Sequence, residues 1–126
     1  MSEPIQYTLE FPMLSSVKVL YKRLSTPSGL SEWFANNVNI KNGVYTFYWD
    51  GSEQSAKLLT KKENSFVRFS WLDSDNIFFE FRIQIDEMTS DVCLLITDFA
   101  DDEEEKQEAI LLWETQIDNL KRALGS

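Results

Sequence analysis

Ile5, Tyr7, Leu9 and Phe11 alternate with Gln6, Thr8 and Glu10, the period-two signature of a strand with one buried and one solvated face. Pro12 lacks a backbone donor and is expected to stop that strand. After Ser15 or Ser16, either of which suits an N-cap, Val17, Leu20, Tyr21 and Leu24 recur at helical spacing and predict a short amphipathic helix. Thr26-Pro27 restarts the pattern, because proline fits the first helical position. Leu30, Trp33 and Phe34 then share one face of a second short helix.

Between Val38 and Phe99 the period shortens to two. Asn42-Gly43 and Asp50-Gly51 are hairpin dipeptides, since a type I′ turn needs positive φ at both central residues. They bracket the strand VYTFYW. Further breaks at Glu63-Asn64-Ser65, Asp73-Ser74-Asp75-Asn76 and Glu87-Met88-Thr89-Ser90 divide the region into about six strands of a meander. The clearest runs from Ile77 to Ile85. There Ile77, Phe79, Phe81, Ile83 and Ile85 fall on a covered face and Glu80, Arg82 and Gln84 on a wet one, with Phe78 an apolar exception among the latter. No stretch is long enough for a crossover helix, which excludes a parallel βαβ sheet.

The acidic run Asp101 to Glu105 opens a final segment in which Ala109, Leu112, Trp113, Ile117, Leu120 and Leu124 form one stripe. Acids at its start and Lys121 and Arg122 at its end complement the helix dipole. At ~1.5 Å per residue such a helix, about 30 Å long, crosses a whole small sheet. Together these elements predict one α+β domain over residues 1–126.

The order strand, two short helices, meander, long helix resembles the helix-grip fold of the START-like (SRPBCC) superfamily. SSVKVLYKRLSTPSGLSEWF, Ser15 to Phe34, is similar to the family's opening, with its proline step and Leu-x-x-Trp-Phe close. WDGSEQSAKLLTKKENSFVRFSWLD, Trp49 to Asp73, is similar to the central hairpins of the branch related to the C-terminal domain of the heat-shock chaperone ATPase activator. Trp113, Ile117 and Leu120 match the gripped helix, although Leu112 stands where the family usually has Gly, and Ser55 or Ala56 takes the place of its small fourth-strand residue. The resemblance implies a curved antiparallel sheet of about seven strands around the C-terminal helix. It also implies a cavity between them that in relatives takes up apolar small molecules, or a surface used in protein association.

Charge narrows the function. Twelve basic and 21 acidic side chains leave a net charge of −9, a field that repels phosphate backbones and anionic lipid, so nucleic acid is not an expected partner. Histidine is absent, which removes every Ser-His-Asp or Cys-His arrangement and every His-ligated metal site. The single cysteine, Cys93, lies in the apolar run VCLLI and is expected to be a buried thiol rather than a nucleophile. The run Asp101 to Glu105 lacks the spaced ligands and turn glycine of an EF-hand and reads as a helix start. No catalytic residue, metal ligand or cofactor is assigned. The opening MSEPIQYTLEF does not place an apolar segment after a basic one, and no window approaches the roughly eighteen apolar residues of a membrane span, so a cytoplasmic protein is expected.

Nine Phe, four Tyr and four Trp supply the large apolar surfaces. Trp33, Phe34, Trp49, Trp71, Phe79, Phe81, Trp113 and Ile117 are candidates for lining a cavity under the last helix, since ligand pockets are mostly apolar. The opposing expectation is that they fill a solid core. Asp98 continues the even-numbered positions Val92, Leu94 and Ile96 and either joins their face or turns outward at the strand's end. The outward course is the expectation, because buried unpaired Asp is rare.

The leading functional reading is a non-catalytic domain that binds a small hydrophobic, lipid-like molecule. Its rival is a protein-association or chaperone-linked module, a homodimer or a co-chaperone-like partner, using Phe78 or the Trp33-Phe34 end. A weaker rival, implied by the resemblance, is a cyclase- or dehydratase-like enzyme using Asp98 or a Glu. It requires a titratable group inside the cavity.

Overall fold

The alternating N-terminal segment forms β1 (Ile5–Met13), paired antiparallel with β7 (Val92–Ala100) in the computed structural model, whose described residues are 3–74 and 77–125. Pro12 does not end β1. It sits opposite Cys93, and Met13 continues to Val92. β1 is an edge strand, where a missing N–H need not break a ladder bond.

Helices α1 (Val17–Ser25) and α2 (Pro27–Leu30) follow, capped by Ser16 and Thr26. The Ser16 Oγ accepts from the Val19 N–H at 3.2 Å, and the Thr26 Oγ1 accepts from the Gly29 N–H at 3.0 Å. The two helices meet closely at Gly29, where a Cβ would stand 2.7 Å from the Arg23 Cα. The second helix is shorter than the periodicity implies: Trp33 and Phe34 lie in the turns after Leu30, and both are buried.

Six further strands complete the meander: β2 (Asn37–Lys41), β3 (Val44–Trp49), β4 (Ser52–Lys62), β5 (Phe66–Trp71), β6 (Phe78–Ile85) and β7. All neighbours are antiparallel, and the order across the seven-stranded sheet is β1-β7-β6-β5-β4-β3-β2. Asn42 and Gly43 both have positive φ, as a type I′ turn requires. At Asp50-Gly51 only Gly51 does, so that two-residue connection is a different turn. Asn64 and Ser90 also take positive φ in the predicted breaks. Of the break at Asp73-Ser74-Asp75-Asn76, the last two residues lie outside the described residues.

The long helix α3 (Glu103–Leu124) begins at Asp102, whose Oδ1 accepts from the Glu105 N–H at 2.8 Å, and ends at Gly125 in the left-handed region. The acidic run is thus a cap and first turn, and among the described residues no group of three or more metal-ligating side chains forms. Trp113, Ile117 and Leu120 are buried on α3, but Leu112 is 60% exposed, on the flank of the expected stripe. Phe47, Phe69, Phe79 and Phe81 pack the sheet side of the core, each at most 1% exposed.

The outer sheet face differs from expectation in two places. Cys93 is only half-buried there, because strict alternation in β7 sends Leu94 and Ile96 inward and Cys93 outward. Desolvation and then the Glu10 carboxylate raise its pKa, which favours the protonated thiol. Glu80, predicted to be wet, is 6% exposed. Arg68 and Arg82 close over it, with Arg68 Nη2 donating to Oε1 at 2.8 Å and Arg82 Nε to Oε2 at 3.2 Å. Burial alone would raise the Glu80 pKa. Hydrogen bonds from both guanidiniums outweigh it and hold the carboxyl below its ordinary value.

Candidate functional site

Where α3 crosses the end of β7, four rings, Phe34, Trp49, Trp71 and Trp113, surround a gap. Phe34, in the turns after α2, is the hub. Its ring stacks on Trp113 at 5.8 Å and on Phe79 at 5.6 Å, and meets Trp49 edge-on at 5.6 Å. Rings at these spacings gain quadrupolar attraction. Between Phe34, Trp49, Trp71 and Trp113 lies a cavity of about 350 Å³, partly open to solvent. Ala109 and Leu112 of α3 form its helix side, and Gln54, Asp98 and Gln116 supply its polar atoms.

The walls are fixed by hydrogen bonds at their polar edges. The Phe34 carbonyl accepts from Trp49 Nε1 at 2.8 Å and from Gln116 Nε2 at 2.9 Å, tying β3, the post-α2 turn and α3 together. A neighbouring cleft of about 290 Å³ shares Phe34, Trp49, Leu112 and Gln116 with the main cavity.

Asp98 corrects the sequence reading. It turns inward, opposite Tyr7 of β1, and its Oδ2 accepts from Trp113 Nε1 at 3.1 Å and from the Tyr7 hydroxyl at 3.4 Å. Its Oδ1 accepts from the Phe99 N–H at 2.8 Å. An inward Asp is tolerated because it is not unpaired: three neutral donors meet it where it leaves water. Desolvation still dominates and pushes its pKa above the usual carboxylate value, against the lowering pull of those donors. Burial and the Asp98 charge together push the Tyr7 phenol up as well, so it remains an O–H donor.

Of the eight sequence candidates, Phe34, Trp49, Trp71 and Trp113 are brought together around the cavity. Trp33 lines only the neighbouring cleft, its Nε1 donating to the Arg23 carbonyl at 2.8 Å. Phe79, Phe81 and Ile117 lie in the packed interior behind the cavity wall, each at most 1% exposed. Gln54, Ala109, Leu112 and Gln116 were missed. Gln54 pairs with Phe47 but stays exposed near the start of β4, so only the structure places it at the cavity.

No described helix is long and apolar enough to cross a membrane. No protein of curated function matches the chain. Among solved structures, a Bacteroides fragilis protein determined by NMR in solution is 32% identical, with 97% of this chain and 92% of that one covered and a TM-score of 0.68. The Aha1 dimer from Colwellia psychrerythraea is 18% identical over 95% of this chain and 96% of that one, with a TM-score of 0.77. An uncharacterized protein from Bacillus thuringiensis is 12% identical over 97% of this chain and 100% of that one, with a TM-score of 0.80. The last two likenesses establish the fold alone. The family of START-like superfamily domains matches residues 1–126 from end to end, and the chain belongs to it.

Proposed function

We propose that this chain is a non-catalytic binding domain that holds a small hydrophobic molecule between α3 and the inner face of the sheet. The observation that carries the reading is the cavity walled by Phe34, Trp49, Trp71 and Trp113. Its volume lies at the lower end of the roughly 300–1,000 Å³ typical of small-molecule sites, and its walls have the expected aromatic excess over a few polar groups. Trp33, Phe79, Phe81 and Ile117 serve the site as backing. Titration with a fluorescent apolar probe, followed by competition with a lipid extract, tests the reading. Saturable binding with displacement is expected, together with a change in tryptophan emission. No saturable binding by the folded protein overturns it.

A second reading, a protein-association module, is favoured by the outer face. Phe78 packs edge-on to Phe99 at 5.0 Å under Arg68, a half-buried aromatic pair that no helix covers. The likeness to a protein solved as a dimer agrees with self-association, and the resemblance to the chaperone-activator branch with a chaperone partner. The Trp33-Phe34 end no longer contributes, since both side chains are buried. Sedimentation equilibrium decides the homodimer: self-association that Phe78→Ser weakens supports it, and a monomer at all concentrations removes it. The cyclase- or dehydratase-like reading keeps its one requirement, because Asp98 is a titratable group at the cavity. A cytoplasmic site of action completes the proposal.

A further inference from the structure

We infer that the pocket is selective for a flat apolar molecule carrying a hydrogen-bond donor, best a cationic amine, presented to Asp98, and that it rejects molecules bearing a carboxylate. The inference rests on the binding reading above and goes beyond it by assigning the chemistry of the ligand's polar end.

Among the described residues lining the cavity, Asp98 alone is charged. Every donor among the described residues that reaches it is neutral: Phe99 N–H on Oδ1, and Trp113 Nε1 and the Tyr7 hydroxyl on Oδ2. A carboxylate offers about four lone-pair positions, so these donors leave room for one more, and they leave the negative charge without a counter-charge. The surroundings do not supply one. Glu105 adds further negative potential at Asp98. Lys106 reaches over the Tyr7 ring at 5.9 Å and makes no ion pair with the carboxylate. The remaining walls are the aromatic side chains of Phe34, Trp49, Trp71 and Trp113, a ring type that attracts cations, with Ala109, Leu112 and the uncharged amides of Gln54 and Gln116. The long-range field of a chain at −9 acts in the same direction, concentrating cations and excluding anions. Aromatic walls, a partly satisfied acid and a negative field each fit an amine, and each opposes the carboxylate head of a fatty acid.

The test is a matched series of naphthylmethylammonium, naphthylmethanol, methylnaphthalene and naphthoate, titrated against the wild-type chain and Asp98→Asn by calorimetry. In the wild type the ammonium is expected to bind about 10- to 100-fold more tightly than methylnaphthalene, the alcohol to fall between, and naphthoate to be weakest. In Asp98→Asn the ammonium-to-methyl ratio should collapse toward one. A non-specific attraction to the acidic surface would survive that substitution, which removes only a single charge. If the variant fails to fold, the wild-type series is repeated at high salt, where attraction to the exposed acidic surface is screened and a ranking set by Asp98 in the cavity persists; loss of the ranking there overturns the inference. Methylnaphthalene binding as tightly as the ammonium, naphthoate binding best, or a folded Asp98→Asn that keeps the ratio overturns the inference while leaving the pocket reading intact. No saturable binding by any of the four removes both.

Discussion

Two carboxylates of the sheet leave bulk water, Glu80 on the outer face and Asp98 on the inner, and the groups that receive them differ in kind. Glu80 is closed over by two guanidiniums, and although burial works against its charge, their hydrogen bonds hold its pKa low. Asp98 receives only an indole, a phenol and a backbone N–H, and burial carries its pKa upward. A carboxylate with cations built in is complete in the folded chain and serves structure. One with neutral donors alone keeps its charge at a cost that a bound cation or donor would relieve. The outer site therefore reads as a fastening of β5 to β6, and the inner one as the polar end of a site built for something else.

The largest expected effect sets the scale. Phe81 follows Glu80 but faces inward, opposite Val67 and Ile96, and is fully buried. Phe81→Ala should cost about 3–5 kcal/mol in urea denaturation. A loss under about 2 kcal/mol would show that the interior behind the cavity is looser than its burial implies. Next comes Glu80→Ala. Breaking a fully buried ion pair costs more, but Arg68 and Arg82 are 37% and 39% exposed and can turn to water. About 2 kcal/mol is expected. A loss near zero would reduce the outer cluster to a surface ornament and erase half of the comparison.

How much of this was legible follows from what periodicity encodes. Alternation in β1 and β6 and the stripe on α3 report which side of an element is apolar, and Tyr7, Phe79, Phe81, Trp113 and Ile117 are inside as they predict. Helix starts were legible too, at Ser15 or Ser16, at Thr26-Pro27 and at the acidic run, because the caps Ser16, Thr26 and Asp102 act on an N–H three residues away. Alternation does not say which strand lies beside which. Pro12 was misjudged because its tolerance depends on β1 being an edge, and Glu80 because Arg68 comes from the adjacent strand. Asp98 was misjudged for the same reason: its donors arrive from β1 and α3, far off in sequence. The site was thus half visible. Its rings stood out by type, while its polar atoms acquired meaning only through contacts across the sheet.

Smaller effects probe the inner acid. Trp113→Phe keeps a ring against Phe34 and removes the Nε1–H that Asp98 accepts. A loss of about 1 kcal/mol is expected, with the Asp98 carboxyl titrating still higher when followed by NMR, since a donor that favoured its charged form is gone. An unchanged titration would mean that Tyr7 and the Phe99 N–H alone define the acid's environment.

Asp98→Asn should change stability least, within about 1 kcal/mol at neutral pH, because relief of the desolvated charge offsets the exchange of an acceptor oxygen for an amide. Its dependence on pH is more telling than its size. With the folded pKa above the unfolded one, the native state holds the proton longer, so this residue's contribution to stability declines as pH rises from the ordinary Asp value through the raised one. Glu80 has the opposite sign: its folded pKa lies below the unfolded one, and its contribution is lost as pH falls through that lowered value. In denaturation curves from about pH 3 to pH 7, the stability of Asp98→Asn relative to wild type should therefore rise with pH, and that of Glu80→Gln should fall. Two slopes of the same sign would mean that the inner carboxylate is as fully compensated as the outer one, and an acid so compensated would have no unmet demand to offer a ligand.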